Sequence, residues 1–519
     1  MHASHPVVAW PTRQSLQITL LCSQPVTLPS ERRKSRQPAR VAVLAATGSL
    51  LACSLIGCVL PTPKEQSPKL SVELPPLWSV ADRQHMGDAP RWWWAFQDPQ
   101  LNGLIKRALA SSPDLAVARS RIEKGNAALE LALADTGVRV SPAAQLSRQR
   151  LSQTGVVGTL SDVVGATWYD LANLGVNIDW TFDPWGRREA EVAAAAGRAQ
   201  AVAAEGQMAI LTITTALAGA YFNWQADGER LATIEELISA LERARRLKVL
   251  RVAQGIDPEA GLADADIHLE RARELKAMVR FTQRLNRLSM AAMIGISADE
   301  LPQLRRRSVP LDQLRLPEDV STGVIARRPD LIARRWLVEA AVHDVAKARA
   351  GYFPDLRLSA LAGLSSTDLG ELFDPASRVF QIGGAVYLPF FDAARVRARH
   401  GVSSAQMEQA VAEYNAAVTT AIKEASEAVS RLELHHARHG AAMSRLASYR
   451  RTYEATSALT RQGVQDEIAV LQSQSQVLGA KEAGLQVQGD VAAAYVRLIM
   501  ALGGAAASLP AETAVTGSN

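Results

Sequence analysis

"FDPWGRREAEVAAAAGRAQA" (Phe182–Ala201) and "FFDAARVRARHGVSSAQMEQA" (Phe390–Ala410) follow one plan: an aromatic and an aspartate end one stretch, and an arginine opens a long Ala-rich run. The two arginines, Arg187 and Arg395, lie 208 positions apart. The same offset of 208 joins Gly255 of "RVAQGID" to Gly463 of "TRQGVQD", and Gly295 of "MAAMIGI" to Gly503 of "RLIMALGG". Chance likeness between Ala-rich helices does not hold register across two breaks. Upstream, "SSPDLAVARSRIEKGNAALELALA" (from Ser111) matches "RRPDLIARRWLVEAAVHDVAKARA" (from Arg327), pairing Pro113 with Pro329 at an offset of 216. The chain is therefore two tandem copies of one unit, residues 111–296 and 321–504, joined by the connector 297–320.

Each copy has a legible order of elements. A helix opens at the Pro-Asp turn, since proline suits a first helical turn and aspartate its positive end, and it closes near Pro142 or Pro354. Alternation follows: in "LGVNIDWTF", Leu174, Val176, Ile178, Trp180 and Phe182 share one face against Gly175, Asn177, Asp179 and Thr181. In "VFQIGGAVYLP", Phe380, Ile382, Val386 and Leu388 oppose Gln381, Gly383 and Tyr387. With partners starting at Pro142 and Pro354, these give strand hairpins over 142–183 and 354–391, with strands of about ten residues that suit an outer-membrane wall. The helical period then takes over for 68 positions, Arg187 to Gly255 and Arg395 to Gly463, or about 100 Å of helix. In the second copy Met407, Tyr414, Ala421 and Ala428 recur every seven residues, with Val411, Val418, Ala425 and Leu432 four further on, an a/d seam. Glycine breaks each helix and a second one returns to Gly295 or Gly503, giving two long helical hairpins.

The three cysteines are Cys22, Cys53 and Cys58, so the body can hold neither a disulfide framework nor a cysteine zinc site. A basic cluster (Arg32 to Arg40) precedes the charge-free run "VAVLAATGSLLACSLIG", the order of an export signal and short for a membrane span. It ends in Leu55-Ile56-Gly57-Cys58, which resembles a bacterial lipobox; Leu50-Leu51-Ala52-Cys53 is the alternative. The resemblance implies a signal segment over 1–57 and N-acyl and S-diacylglycerol (palmitate-type) modification of the mature cysteine. Val59 after Cys58, in place of aspartate, permits transfer to the outer membrane under the same sorting rules. The first thirty residues fit neither signal nor domain, and an over-long start is expected. Residues 1–57 carry six Lys/Arg against Glu31, and removing them from 57 basic and 52 acidic residues leaves 51 of each. A neutral body gives no ground for nucleic-acid binding. The charge-free "GQMAILTITTALAGAYFNWQA" (Gly206–Ala226) has the length of a membrane helix, but its threonines, glycines and glutamines fit a buried bundle helix.

Four strands cannot close a barrel in lipid, because open edges leave backbone groups unpaired. Three chains give twelve strands and a ring of twelve helices, a pseudo-twofold repeat inside a threefold assembly. "RWWWAFQDPQLNGLIKRALASSPDLAVARSRI", "RRPDLIARRWLVEAAVHDVAKARAGYFPDL", "LPFFDAARVRA" and the closing "IMALGG" resemble the TolC-like outer-membrane efflux factors, and the lipobox their lipoprotein branch (OprM/NodT type). The likeness covers about residues 58 to 505, with 58–110 as linker and equatorial segment and 505–519 as tail. It implies a homotrimer in the outer membrane of a Gram-negative bacterium, a β-barrel continued by a periplasmic α-barrel. The resemblance further implies a periplasmic adaptor and an inner-membrane RND-type pump as partners, and no enzyme activity or cofactor.

The resemblance also assigns candidate sites. The hairpin tips Arg251, Gln254, Gly255 and Ile256, and Arg461, Gln462, Gly463 and Val464, are the adaptor-facing positions, although both glycines also serve simply to turn the backbone. Relatives often carry acidic residues past the second tip glycine, where this chain has Ala469 and Gln472. Asp466 and Glu467 lie nearer the tip and are the candidates for an acidic gate, with Asp264 and Asp266 after the first tip. Pro258 sets the first tip apart from the second. His435 and His439 have a spacing metals use, but no completing ligand stands near them in sequence. Trp92 to Trp94 are expected to clamp the N-terminal segment onto the helices. The competing reading is a lipid-anchored periplasmic coiled-coil scaffold; an apolar strand face opposite small and polar residues discriminates against it.

Overall fold

A computed structural model describes residues 92–150, 168–309, 314 and 325–504; the signal segment, Cys53 and Cys58 lie outside these described residues. A 3-10 turn (Trp92–Phe96) leads to α1 (Pro99–Ser111), capped by Asp98, whose carboxylate accepts from the N–H groups of Gln100 and Leu101. Copy one is α2 (Pro113–Ala134), β1 (Arg139–Arg150), β2 (Trp168–Phe182), α3 (Arg187–Ala253) and α4 (Glu259–Ile294). Copy two is α5 (Pro329–Ala350), β3 (Asp355–Ser366), β4 (Arg378–Tyr387), α6 (Ala393–Arg461) and α7 (Glu467–Ala501). The offset of 216 holds from Pro113/Pro329 through Arg150/Ser366, and 208 from Arg187/Arg395 onward. The first copy's extra residues therefore fall between β1 and α3.

Two expected boundaries are corrected. Helix α2 ends at Ala134, and β1 starts at Arg139, so Pro142 lies inside the strand and is not its start. Within the single chain β1 is an edge strand, paired on one side only, and Pro142 stands opposite Val176 without interrupting the β1–β2 ladder. Strand β4 ends at Tyr387 and not at 391: Pro389 supplies no N–H, and its carbonyl accepts from Asp392 N–H (3.2 Å) in a turn that carries Phe390 and Phe391.

The four strands form one antiparallel sheet in the order β1-β2-β3-β4. Below it the helices make a wall one layer thick. Helix α3 packs on α2 and α5 near the sheet and on α4 and α7 further down, while α6 packs on α5 and then α7. The rows are thus α2–α3–α5–α6 above and α4–α3–α7–α6 below. Helices α3 and α6 run through both rows, at 67 and 69 residues, each about 100 Å. The other four stack end to end in pairs. Ser111 Oγ donates to Ile294 O (2.7 Å) where α4 meets α2, and Arg328 Nη1 donates to Ala501 O (3.2 Å) where α7 meets α5. At these junctions Gly295 and Gly503 have φ of +83° and +68°, and a Cβ on either would meet the opposing element within 3.0 Å.

The core sits at this junction level. The apolar stretch of α3 is buried there, with Leu217, Ala218, Tyr221 and Phe222 almost fully enclosed. Trp92, Trp93 and Phe96 close over it: Phe96 meets Phe222 and Tyr495 edge-on at 5.0 and 6.1 Å, and Trp92 Nε1 donates to Thr214 Oγ1 (3.4 Å). The expected clamp thus uses two of the three tryptophans; Trp94 points outward, 53% exposed. The heptad seam of α6 is buried at Met407, Tyr414, Val418, Ala421, Ala425, Ala428 and Leu432.

Candidate functional site

Cross-strand partners share a face, so the register fixes what each side of the sheet offers. Leu174, Val176 and Ile178 of β2 stand opposite Ala144, Pro142 and Val140 of β1. Together with Trp180 and Phe182 they also stand opposite Leu364, Ala362, Ala360, Leu358 and Leu356 of β3, which continue to Phe380, Ile382, Gly384 and Val386 on β4. That face is apolar across all four strands, and Ile382 on it is 86% exposed. The other face carries Gln145, Asn173, Asn177, Asp179, Ser359, Ser365 and Gln381 with Gly175, Gly363 and Gly383. From Ala172 to Phe182 the apolar row spans about 25 Å at a strand tilt near 40°, the height of an outer-membrane apolar band. Trp180, Phe182, Trp185, Phe390 and Phe391 gather at its helical end, where interfacial aromatics belong.

The sheet and the wall both stop short. Strands β1 and β4 each have one edge unpaired among the described residues, and α4 and α6 end the lower row of helices. Helix α4 bears Met278, Phe281, Leu285 and Leu288, spaced by three, four and three residues and between 44% and 61% exposed. That is a heptad seam with no partner helix among the described residues.

The tips are near copies. At the first, Gln254 caps α3, Gly255 has φ +73°, and Ile256 N–H donates to Arg251 O (2.8 Å). At the second, Gln462 caps α6, Gly463 has φ +77°, and Val464 N–H donates to Leu459 O (3.0 Å). Both are Schellman endings, and Ile256 and Val464 are exposed apolar residues at their apices, 58% and 67%. Pro258 does not distort the first turn: it is the extended N-cap of α4, a position where its fixed φ fits.

What differs is the next cap. Asp466 is the N-cap of α7; its carboxylate accepts from Ala469 N–H (2.9 Å) and pairs with Arg251 of the first tip. Arg251 also holds Asp257 (2.9 Å). Asp466 is therefore committed to a bridge between the two tips, a partnership across 215 positions that no local spacing announces. Glu467 follows in the first turn of α7, Arg461 ends α6 exposed, Asp266 pairs with Arg245, and Asp264 lies 3.7 Å from His268.

Midway along each hairpin lies a polar node, again related by 208. Asp227 accepts from Thr282 Oγ1 (3.0 Å) and Asn286 Nδ2 (3.3 Å) and pairs with Arg230 (3.1 Å), which reaches Glu482 of α7 (2.7 Å). The equivalent His435 and Arg438 face Asp490 at 3.8 and 3.5 Å. Burial raises the Asp227 carboxyl above its ordinary range and lowers His435 below its own. His436 donates from Nε2 to Leu314 O (2.8 Å). Among the described residues no group of three metal-binding side chains converges.

Residues 104–296 and 321–504 match the family model described as "Outer membrane efflux protein". Among similar proteins, the multidrug resistance outer membrane protein MdtP of Escherichia coli O6:H1 is 28% identical over 485 residues, covering 92% of this chain and 99% of the relative. The putative multidrug resistance outer membrane protein MdtQ of Escherichia coli strain K12 is 26% identical over 430 residues, covering 81% and 88%. Among solved structures, the outer membrane protein VceC of Vibrio cholerae superposes with a TM-score of 0.71 at 26% identity, over 80% of this chain and 98% of that one. The MtrE outer membrane channel of Neisseria gonorrhoeae gives 0.71 at 23% identity, over 86% and 98%, a likeness of fold.

Proposed function

The chain belongs to the outer membrane efflux protein family, and from that premise we propose that it is the outer-membrane channel of a tripartite export system. A periplasmic adaptor and an inner-membrane pump of RND type hand substrate to a trimer of this chain. The observation that carries the reading is the sheet: apolar on one face of all four strands, predominantly small and polar on the other despite Leu171, Leu361 and Val379, and open at β1 and β4. Such a sheet is stable in lipid only when closed. Three copies joined β4 to β1 give twelve strands, above the minimum of about eight. The same rotation sets α4 of one copy against α6 of the next, covering Met278, Phe281, Leu285 and Leu288 and making a ring of twelve helices. Each contact is head to tail, and the ring closes by rotation.

The protein conducts and does no chemistry. The tips, Arg251 to Ile256 and Arg461 to Val464, are the adaptor-docking surface, with Ile256 and Val464 as its exposed apolar points. The Arg251–Asp466 pair is a latch: it ties the two tips of one copy together, and widening the periplasmic end requires it to part. Cys58, or Cys53, carries the lipid that holds the N-terminus to the membrane. A soluble scaffold would leave the apolar strand face in water, which argues against that alternative. The names of the relatives make small drugs the first cargo to test.

Single-channel recording of the purified protein in planar bilayers tests this reading. It expects a small closed-state conductance that rises severalfold in Arg251→Ala. Wild-type and variant protein that both form no channel would overturn it.

A further inference from the structure

Just beyond the apolar band, on its lipid-facing side, lie Arg148 and Arg150 at the outer end of β1 and Arg378 at the outer end of β4. All three are exposed. Their face follows from the register: Arg148 is opposite Asp170 and Arg150 opposite Trp168, in the row of Leu174, while Arg378 is opposite Leu364. Arg148 lies 3.7 Å from Asp170, and the Arg150 guanidinium sits over the Trp168 ring at 5.9 Å. Among the described residues Arg378 has no ion pair.

Their heights in the membrane agree as well. Through Leu364 and Leu174, Arg378 is level across the strands with Ala144, four residues below Arg148. Four residues are about 13 Å and three strand steps about 14 Å, a slope within the tilt of about 35–45° for membrane strands. The helical end of the sheet descends the same way: Arg139 of β1 faces Asp179, whereas Tyr387 of β4 faces Asp355, beyond the Leu356–Phe182 pair. A plane parallel to the membrane thus cuts β1 at Arg148 and β4 at Arg378.

We propose that Arg378 of one copy and Arg148 and Arg150 of the next form a binding site for the phosphate of a phosphorylated outer-leaflet glycolipid, one at each junction between copies. This rests on the trimeric channel reading: rotation about the threefold axis preserves height, so the β4–β1 contact brings these arginines one strand step apart. Asp170 offsets one of the three charges, and the remaining two suit a phosphomonoester whose acyl chains lie on the apolar face beneath. The lipid then bridges the seam that the two free edges make.

The experiment uses the full-length protein in phosphatidylcholine nanodiscs with and without diphosphoryl lipid A. Bound lipid A is counted by mass spectrometry, and the trimer's heat-dissociation midpoint is read in the same samples. Lipid A is expected to raise the wild-type midpoint. Arg150→Gln and Arg378→Gln are each expected to weaken its binding about fivefold, while their midpoints in phosphatidylcholine alone stay at the wild-type value. Monophosphoryl lipid A is expected to bind more weakly. Equal retention by wild type and the double variant overturns the proposal, and so does an equal rise with inorganic phosphate, which would mark a free-anion site. Absence of a trimer in phosphatidylcholine overturns the channel reading itself.

Discussion

Helices α3 and α4 of the first hairpin are stitched together by charge. Lys276 pairs with Glu235 and Arg273 with Glu242 (3.0 Å each), Arg245 pairs with Asp266, and Lys248 Nζ reaches Gly261 O (2.8 Å) near the tip. The second hairpin has nothing of the kind below Arg438 among the described residues: from Ile468 to Ala480 α7 carries no charge, and the arginines of lower α6 have no acid facing them there. Exposed pairs are worth at most about 1 kcal/mol each, so the contrast concerns stiffness more than stability. One repeat has been kept as a strut, and its copy is held at the tip by a borrowed partner, Asp466 to Arg251. The repeat fixed where the hairpins turn; divergence at single positions decided how each of them is tied to its neighbours.

The contrast is sharpest at the junctions. Arg328 of the second copy stands where the first has Ser112, and it is buried while pairing with Asp330 and Glu424 (2.8 Å each). Arg328→Ser, which makes the second junction resemble the first, is expected to cost about 2–3 kcal/mol. That lies below the loss for a fully buried pair because both carboxylates keep some water. The trimer's heat-dissociation midpoint measures it.

At the tips, Asp466→Ala removes both a helix cap and the latch, whereas Pro258→Ala at the equivalent position removes neither. The first is expected to lose about 1 kcal/mol of capping and to raise channel conductance, and the second to leave conductance unchanged. Arg251→Ala should raise conductance as Asp466→Ala does, and the double variant no further, since both break one interaction. An additive double variant would mean that two separate restraints had been removed. Gly255→Ala and Gly463→Ala should instead cost the same, about 1 kcal/mol each: each has positive φ with open space around it, so only backbone strain is felt.

The smallest effect belongs to the polar nodes, where the two copies should respond to pH with opposite sign. Asp227 has a raised folded pKa from burial, opposed by Thr282, Arg230 and Asn286. Its contribution is full below the ordinary aspartate range and is lost as pH rises through the folded value. His435 has a lowered folded pKa from burial, with Asp490 opposing and Arg438, Arg497 and Arg431 assisting. Its contribution is full above about pH 6.5 and is lost as pH falls through the folded value. Amide exchange around Asp227 should therefore slow toward acid, and around His435 toward neutrality.

Much of this was legible in the chain. The constant offset of 208 located the tips because tandem copies keep one register, and the alternation at Leu174–Phe182 identified the membrane face because the backbone dictates a strand's period of two. Pro142 misled because a proline inside an edge strand reads the same as one that ends a helix. The bridge from Arg251 to Asp466 left no trace, since it depends on how two hairpins lie side by side. The seam on α4 did leave one: Met278, Phe281, Leu285 and Leu288 carry heptad spacing as clear as that on α6. Only the structure reveals that among the described residues no helix covers them.

That uncovered seam and the two unpaired strand edges call for closure by further copies of the chain. The most direct test is the native mass of protein extracted in mild detergent from purified outer membranes, before and after heating. A trimer that heat dissociates to monomers is the result expected. A monomer in that fraction would contradict it, because four strands with free edges cannot stand alone in lipid.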